Sequence, residues 1–154
     1  MSEIRIRKML PEDLPAVMAI LERWNMAPRL PTPEVPDPER SGIAVENGFV
    51  AEIEGRIVGA CSYYLLGEGN AETASLAVDP STRGRGVGHR LQQARMDEMR
   101  RRGVTRVRTE ADRVETIRWY VERFGYRIVG RNPKKHDFGV STVDHWTLLE
   151  LDLD

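Results

Sequence analysis

Ile4 and Ile6 alternate with charged residues in EIRIRKM, which is the two-residue period of a half-buried strand. The period then changes. In PEDLPAVMAILERW, Leu14, Val17, Met18, Leu21 and Trp24 recur at helical spacing behind acids in the first turn, so an amphipathic helix is expected. From Pro28 to Pro38 the chain holds five of its nine prolines. Each removes an amide donor and fixes φ, which disfavours regular helix. The segment is expected as a surface loop or as one wall of a binding site.

Three apolar, β-branched or aromatic runs follow between Gly48 and Val78, separated by EGR and then GEGN. Those separators are hairpin signals, and a three-stranded antiparallel meander ending near Val78 is expected. From Gly86 the pattern is helical again, with Val87, Leu91, Ala94 and Met99 on one side, until the basic last turn RRR and Gly103 stop it. VTRVRTE then reads as a strand, RVETIRWYVERFG as a helix, and YRIVGR and DHWTLLELDL as two closing strands. The order is that of a mixed α/β (α+β) layer arrangement. The length of 154 residues suits a single globular domain, residues 1–154, burying about 70% of its unfolded surface.

Charge narrows the partners. Lys plus Arg (23) nearly balance Asp plus Glu (24), for a net charge of −1. Neither nucleic acid nor an anionic membrane is therefore an expected partner, and any anion site must be local. The single cysteine, Cys61, reads as a small buried hydrophobe, and no Cys/His cluster stands at metal-ligand spacing, so no metal is expected. The charged start MSEIRIRKML does not resemble a signal peptide, and no apolar run approaches about 20 residues, so a cytoplasmic protein is expected.

The candidate chemistry lies in LAVDPSTRGRGVGHRL. Gly84, Gly86 and Gly88 alternate between a strand and a helix, where bare amides and the helix dipole favour a phosphate, and Arg83 and Arg85 add charge. A dinucleotide fingerprint fails because His89 stands where the third glycine would be, and no GK[ST] of a P-loop is present. A glycine-rich turn with solvated arginines is the structural alternative.

The spacing RxxGxG, as Arg83, Gly86 and Gly88 after LAVDP, together with WYVERFGY after the next strand, resembles the GNAT superfamily of acetyl-CoA-dependent N-acetyltransferases. The order of elements over nearly the whole chain is also that family's. The resemblance implies an acyl-CoA N-acyltransferase fold, a mostly antiparallel sheet of about seven strands flanked by helices and splayed between the fourth and fifth. It implies acetyl-CoA as cosubstrate, with its pyrophosphate on the turn Arg83, Gly84, Arg85, Gly86, Val87 and Gly88, and with His89 beside it. The pantetheine would pair with the main chain of Leu76, Ala77 and Val78, where an amide near Val78 could polarise the thioester carbonyl.

Acetylation of an amine needs a group that takes a proton, because an alkyl ammonium has a pKa of about 10.4. Glu72 is the first candidate, on the expectation that strand alternation puts it on one face with Ala74, Leu76 and Val78; Glu110 is the second. Glu72 could equally be a solvated glutamate at a strand start. Tyr120 occupies the family's position for the tyrosine that protonates the departing thiolate, or is a helix tyrosine packed beside Trp119 and Phe124. Arg113 and Thr116 stand where the family commonly has asparagine and alanine. The resemblance implies that the acceptor is an amine of a small molecule, peptide or protein. Segments 28–38 and 132–143 are expected to line its site, with Glu34, Asp37, Glu39 and Glu46 favouring a cation, and with His136, Asp137 and His145 nearby. A homodimer is a further expectation, and an acyl-CoA-binding module without turnover is the alternative function.

Overall fold

The computed structural model describes residues 3–37, 42–82 and 84–153. Every element expected from the sequence forms. β1 (Ile4–Lys8) is followed by α1 (Leu14–Arg23), the meander β2 (Gly48–Ile53), β3 (Arg56–Gly67) and β4 (Asn70–Val78), then α2 (Val87–Arg101), β5 (Arg106–Ala111), α3 (Val114–Phe124), β6 (Arg127–Pro133) and β7 (His145–Asp152). One seven-stranded sheet runs in the order β1-β2-β3-β4-β5-β7-β6. All neighbours are antiparallel except β4 and β5. Among the described residues no helix is long and apolar enough to cross a membrane.

Each face of the sheet buries one core. Val17, Ile20 and Leu21 of α1 pack with Val50, Ala60 and Ala77 on one side. Val87 and Leu91 of α2 pack on the other with Ala51, Val58 and Cys61, and Met96 and Met99 pack there with Tyr63, Ala71 and Val107. α3 lies beside α2, its Tyr120 packed with Ala111, Tyr126 and Leu149.

The parallel pair is short. Only Asn70↔Arg106, Ala71↔Val107 and Glu72↔Arg108 are in register, after which β4 and β5 part. β4 remains on β3 as far as Val78, and β5 on β7 along its whole length. The sheet is therefore splayed where the family resemblance implies.

A bulge in β4 corrects one expectation. Ser62 pairs with Ala74 and Ala60 with Ala77, so three steps on β4 match two on β3. Ser75 is the extra residue, in the left-handed region at φ 59°. The insertion reverses the alternation. Glu72, Ala74 and Ala77 share the α1 face, whereas Leu76 and Val78 turn to the α2 face against Val87 and Leu91. Strict alternation from Glu72 to Val78 therefore does not hold.

The entry to α1 is held by a buried carboxylate. Asp13 Oδ2 and Oδ1 accept from the two terminal nitrogens of Arg7 at 2.7 and 2.9 Å, and Oδ2 accepts from the amide of Leu10 at 2.8 Å. Hydrogen bonds from Arg7 hold the Asp13 carboxyl below its ordinary value of 3.8. A depressed native pKa means that the unfolded chain binds the extra proton first. The stabilisation is thus complete above about pH 4 and is lost as the pH falls through the native pKa. Replacing Asp13 by Asn is expected to cost about 2 kcal/mol at pH 7 and to make the loss of stability below pH 4 shallower. Urea unfolding at pH 7 and at pH 3 measures both; equal losses in parent and variant on acidification would refute the assignment.

Candidate functional site

The parting strands open a cleft of about 390 Å³, lined by residues 73–78 of β4, residues 109–111 of β5, Trp24, Gly88, Arg95, Arg113, Trp119 and Tyr120. A second cleft of about 550 Å³ lies beside it, lined by Glu72, residues 132–135, Phe138 and others. Met26, Thr73, Ala74, Ser75, Glu110 and Trp146 line both. The clefts therefore meet at the bulge, one running toward the glycine turn and the other toward the β6–β7 connection.

The first cleft leaves polar backbone exposed along its edge. The amide of Asp79 donates to Val58 of β3 at 2.7 Å. Backbone groups of a strand alternate between its two neighbours, so those of Val78 and Leu76 face the gap. One is capped from within, since the indole Nε1 of Trp24 donates to the Val78 carbonyl at 2.9 Å. The Arg113 guanidinium lies 4.6 Å from the Trp24 ring centroid, so the residue standing in place of the family's asparagine reaches across the gap to α1. At the apex, the buried Thr73 hydroxyl is without a hydrogen-bond partner among the described residues.

Local sequence shapes the glycine turn. Asp79 is buried and accepts at Oδ1 from both the amide and the hydroxyl of Ser81 at 2.9 Å, with Arg23 at 3.3 Å. The Ser81 amide bond is the main cause that holds its carboxyl below the usual range. This pins Pro80–Thr82 as a 3-10 turn at the end of β4. Gly84 and Gly86 follow at φ 82° and 80°, which L side chains avoid. Gly88 is different: its φ is ordinary, it lines the first cleft, and a Cβ there would stand 3.7 Å from Val78 and narrow the cleft. Val87 buries its side chain in the core, leaving its amide for the turn. Arg85 and His89 are exposed, and the His89 ring rests on Phe124 with centroids 5.1 Å apart. Arg83 and Glu39 lie outside the described residues.

The expected catalytic residues fall on opposite sides of the gap. Tyr120 is buried in the first cleft, its ring against Trp119 and Tyr126, and its hydroxyl accepts from Arg95 at 3.3 Å. Glu72 lines only the second cleft and is ion-paired with Arg108 at 3.3 Å. Glu110 lines both. Cys61 is fully buried and burial pushes its thiol up to about 11, so it presents no nucleophile to either cleft.

The acceptor-side expectations divide. Segment 132–143 does line the second cleft, and its position is fixed: the buried Lys134 ammonium donates to Asp112 at 2.8 Å and to the carbonyls of Phe138 and Val140 at 2.7 and 2.9 Å, while Gly139 donates to Asn25 at 2.9 Å. Among the described residues, the proline-rich segment lines neither cleft and touches this wall through Asp37–Lys135, 2.8 Å. Glu34, Asp37, Glu46, His136, Asp137 and His145 line neither. Trp24, Thr73, Arg95 and Trp146 were not legible as site residues. The one readable signal was Gln92 and Arg95, polar at i and i+3 on the otherwise apolar stripe of α2. Among the described residues no group of acids, histidines and cysteine is arranged for a metal.

The chemistry of these surfaces fits acyl-CoA: an apolar channel with strand-like backbone along one edge, an orphan hydroxyl at its apex, and bare amides on a helix N-terminus at its far end. Leu76, Ala77, Val78 and Gly88 all line the channel.

The acetyltransferase (GNAT) family matches the sequence over residues 14–126. No curated protein matches it. Among solved structures, Ard1 from Thermoplasma volcanium is similar with a TM-score of 0.77 at 23% identity, covering 98% of each chain. The ribosomal-protein-S18-alanine N-acetyltransferase from Escherichia coli superposes with a TM-score of 0.74 at 21% identity, covering 99% of this chain and 95% of that one. Rv2747 from Mycobacterium tuberculosis, solved with CoA, gives 0.71 at 20% identity over 97% and 99%.

Trp24, Trp119 and Trp146, the three tryptophans of the chain, all line the first cleft. Titration with CoA is therefore expected to change the intrinsic tryptophan emission saturably. Gly88→Val, which fills the cleft wall, should weaken that binding at least ten-fold, about 1.4 kcal/mol. Unchanged affinity in this variant would move the ligand elsewhere.

Proposed function

The chain belongs to the acetyltransferase (GNAT) family, whose members transfer acyl groups to amines, and from this we propose that it is an acetyl-CoA-dependent N-acetyltransferase in which the amine attacks directly from the second cleft. The observation that carries the reading is the meeting of two clefts at the Ser75 bulge, with a carboxylate, Glu110, bordering both and a phenol, Tyr120, in the first. Bound acetyl-CoA supplies the acyl group as a thioester and departs as the thiol.

The residues divide the proton work. Glu110 takes the proton of the attacking amine, as its nitrogen pair forms the new C–N bond. Tyr120 gives its hydroxyl proton to the sulfur, which keeps the electron pair of the broken C–S bond. Solvent then returns a proton to Tyr120 and receives one from Glu110, so the exchange balances. Glu110 is favoured over Glu72 because it lines both clefts, whereas Glu72 borders only the second. The backbone amides of Leu76 and Val78, turned into the gap, are the candidate donors to the thioester oxygen. Burial of Cys61 supports direct transfer over an acetyl-enzyme.

The acceptor class is open to a simple screen. Thiol release from acetyl-CoA is measured with an alanine-initiated peptide, chosen because one structural neighbour is a ribosomal-protein-S18-alanine N-acetyltransferase, and with a lysine peptide, spermidine and an aminoglycoside. Turnover with at least one is expected; binding without turnover would indicate a module that only holds acyl-CoA. Tyr120→Phe should lower kcat about 100-fold. Glu110→Gln should cost a similar factor at pH 7, recovering as the pH rises and the amine deprotonates unaided, and Glu72→Gln should cost less than ten-fold. The reverse order of the two glutamates would transfer the base to Glu72.

A further inference from the structure

Arg95 is 0% exposed, on the face of α2 that backs the splay, and Gln92 beside it is 0% exposed as well. All of its N–H donors are engaged. Nε donates to Gln92 Oε1 at 3.0 Å, a bond that Nη2 shares; Nη2 also donates to Tyr120 Oη at 3.3 Å. Nη1 donates to the Ser62 carbonyl at 3.0 Å and the Ala74 carbonyl at 3.3 Å. None of these acceptors is an acid. Glu98, one turn along the helix, is taken by Tyr63 at 2.6 Å and Lys8 at 3.0 Å. A guanidinium does not deprotonate in a protein, so the fold keeps a cation under the cleft solvated only by carbonyls and a hydroxyl, which is costly compared with an apolar residue of the same size.

The placement of that fork accounts for its retention. The Ala74 carbonyl immediately precedes the bulged Ser75. The Tyr120 hydroxyl has no other hydrogen-bond partner among the described residues, and the residue lines the cleft. A phenolic oxygen that accepts on one side in its ring plane turns its proton to the other. We propose that Arg95 is the positioning residue of the proton donor: it holds the Tyr120 oxygen as an acceptor, so that the hydroxyl proton faces the sulfur, and it fixes this geometry to the bulge where the two clefts meet. The inference rests on Tyr120 as the acid of the reaction proposed above. The proton passes from Tyr120 to sulfur as the C–S bond breaks, and the guanidinium, which gives up no proton, stabilises the negative charge then left on the phenol oxygen.

Two measurements test it on Arg95→Met, Tyr120→Phe and the double variant. Should Arg95→Met alone fold poorly, Gln92→Leu/Arg95→Met removes the side-chain acceptor together with the donor. In the first measurement, tryptophan emission gives the affinities for CoA and for desulfo-CoA, which lacks the thiol. The parent is expected to prefer CoA about ten-fold, and each variant to lose the preference to within about two-fold. In the second, kcat is measured with the panel amine turned over fastest. Arg95→Met should lower it at least ten-fold with little change in KM for acetyl-CoA, and should cost almost nothing further in the Tyr120→Phe background. Equal factors in both backgrounds, a loss confined to KM, or an undiminished preference for CoA in Arg95→Met would overturn the proposal and leave Tyr120 as the acid. A fully active Tyr120→Phe would instead overturn the role of Tyr120, and absence of turnover on the whole panel would overturn the transferase reading itself.

Discussion

The site depends on one constraint, that two adjacent parallel strands stop pairing after Glu72↔Arg108. A buried strand edge must have its N–H and C=O groups satisfied. β4 keeps β3 and β5 keeps β7, so neither strand can move to close the gap without giving up a full ladder on its other side. The unmet groups are handled one at a time. Arg95 and the Ser62 hydroxyl donate to the Ala74 carbonyl and Trp24 donates to that of Val78, while the Thr73 hydroxyl is without a partner among the described residues. What remains is a polar strip inside an apolar channel, which suits an extended amide-bearing ligand better than water.

The charged groups that matter around this gap are the buried ones, and each ties a loop or helix to the sheet. Asp79 shapes the turn after β4; Lys134 and Asp112 hold the β6–β7 connection against the second cleft; Arg95 joins α2, β3, β4 and α3. Their loss would leave a partner uncompensated in low dielectric. The arginines of β5 and β6 behave differently. Arg106 and Arg127 pair with Asp152 and Glu150 on an exposed face, where such pairs contribute little to stability. Arg106 and Arg127 thus belong to a solvated surface.

The sequence pattern was a good guide to elements and a poor one to facing. The strand period of Ile4–Lys8, the hairpin signals EGR and GEGN, and the glycines after α2 and α3 all mark real boundaries, because local sterics alone enforce them. The side on which Glu72 lies relative to Leu76 was misjudged, since Ser75 inserts a residue in a left-handed conformation that nothing in NAETASLAV announces. A serine there has no local need for that φ; the demand comes from the register of β3. Gln92 and Arg95 are visible in the sequence only as polar residues on an apolar helix stripe, a signal that acquires meaning once the acceptors of Arg95 on three other elements are known.

By itself the sequence determined the order of strands and helices and the glycine turn with its left-handed residues, both of which are short-range properties of backbone and side-chain type, while Tyr120 entered as a candidate through the family resemblance. The tertiary structure alone decided which glutamate borders both clefts, which carbonyls are left without a strand partner, and which cation meets the Tyr120 hydroxyl. Those relations join residues far apart in the chain, and they exist only once the sheet has formed.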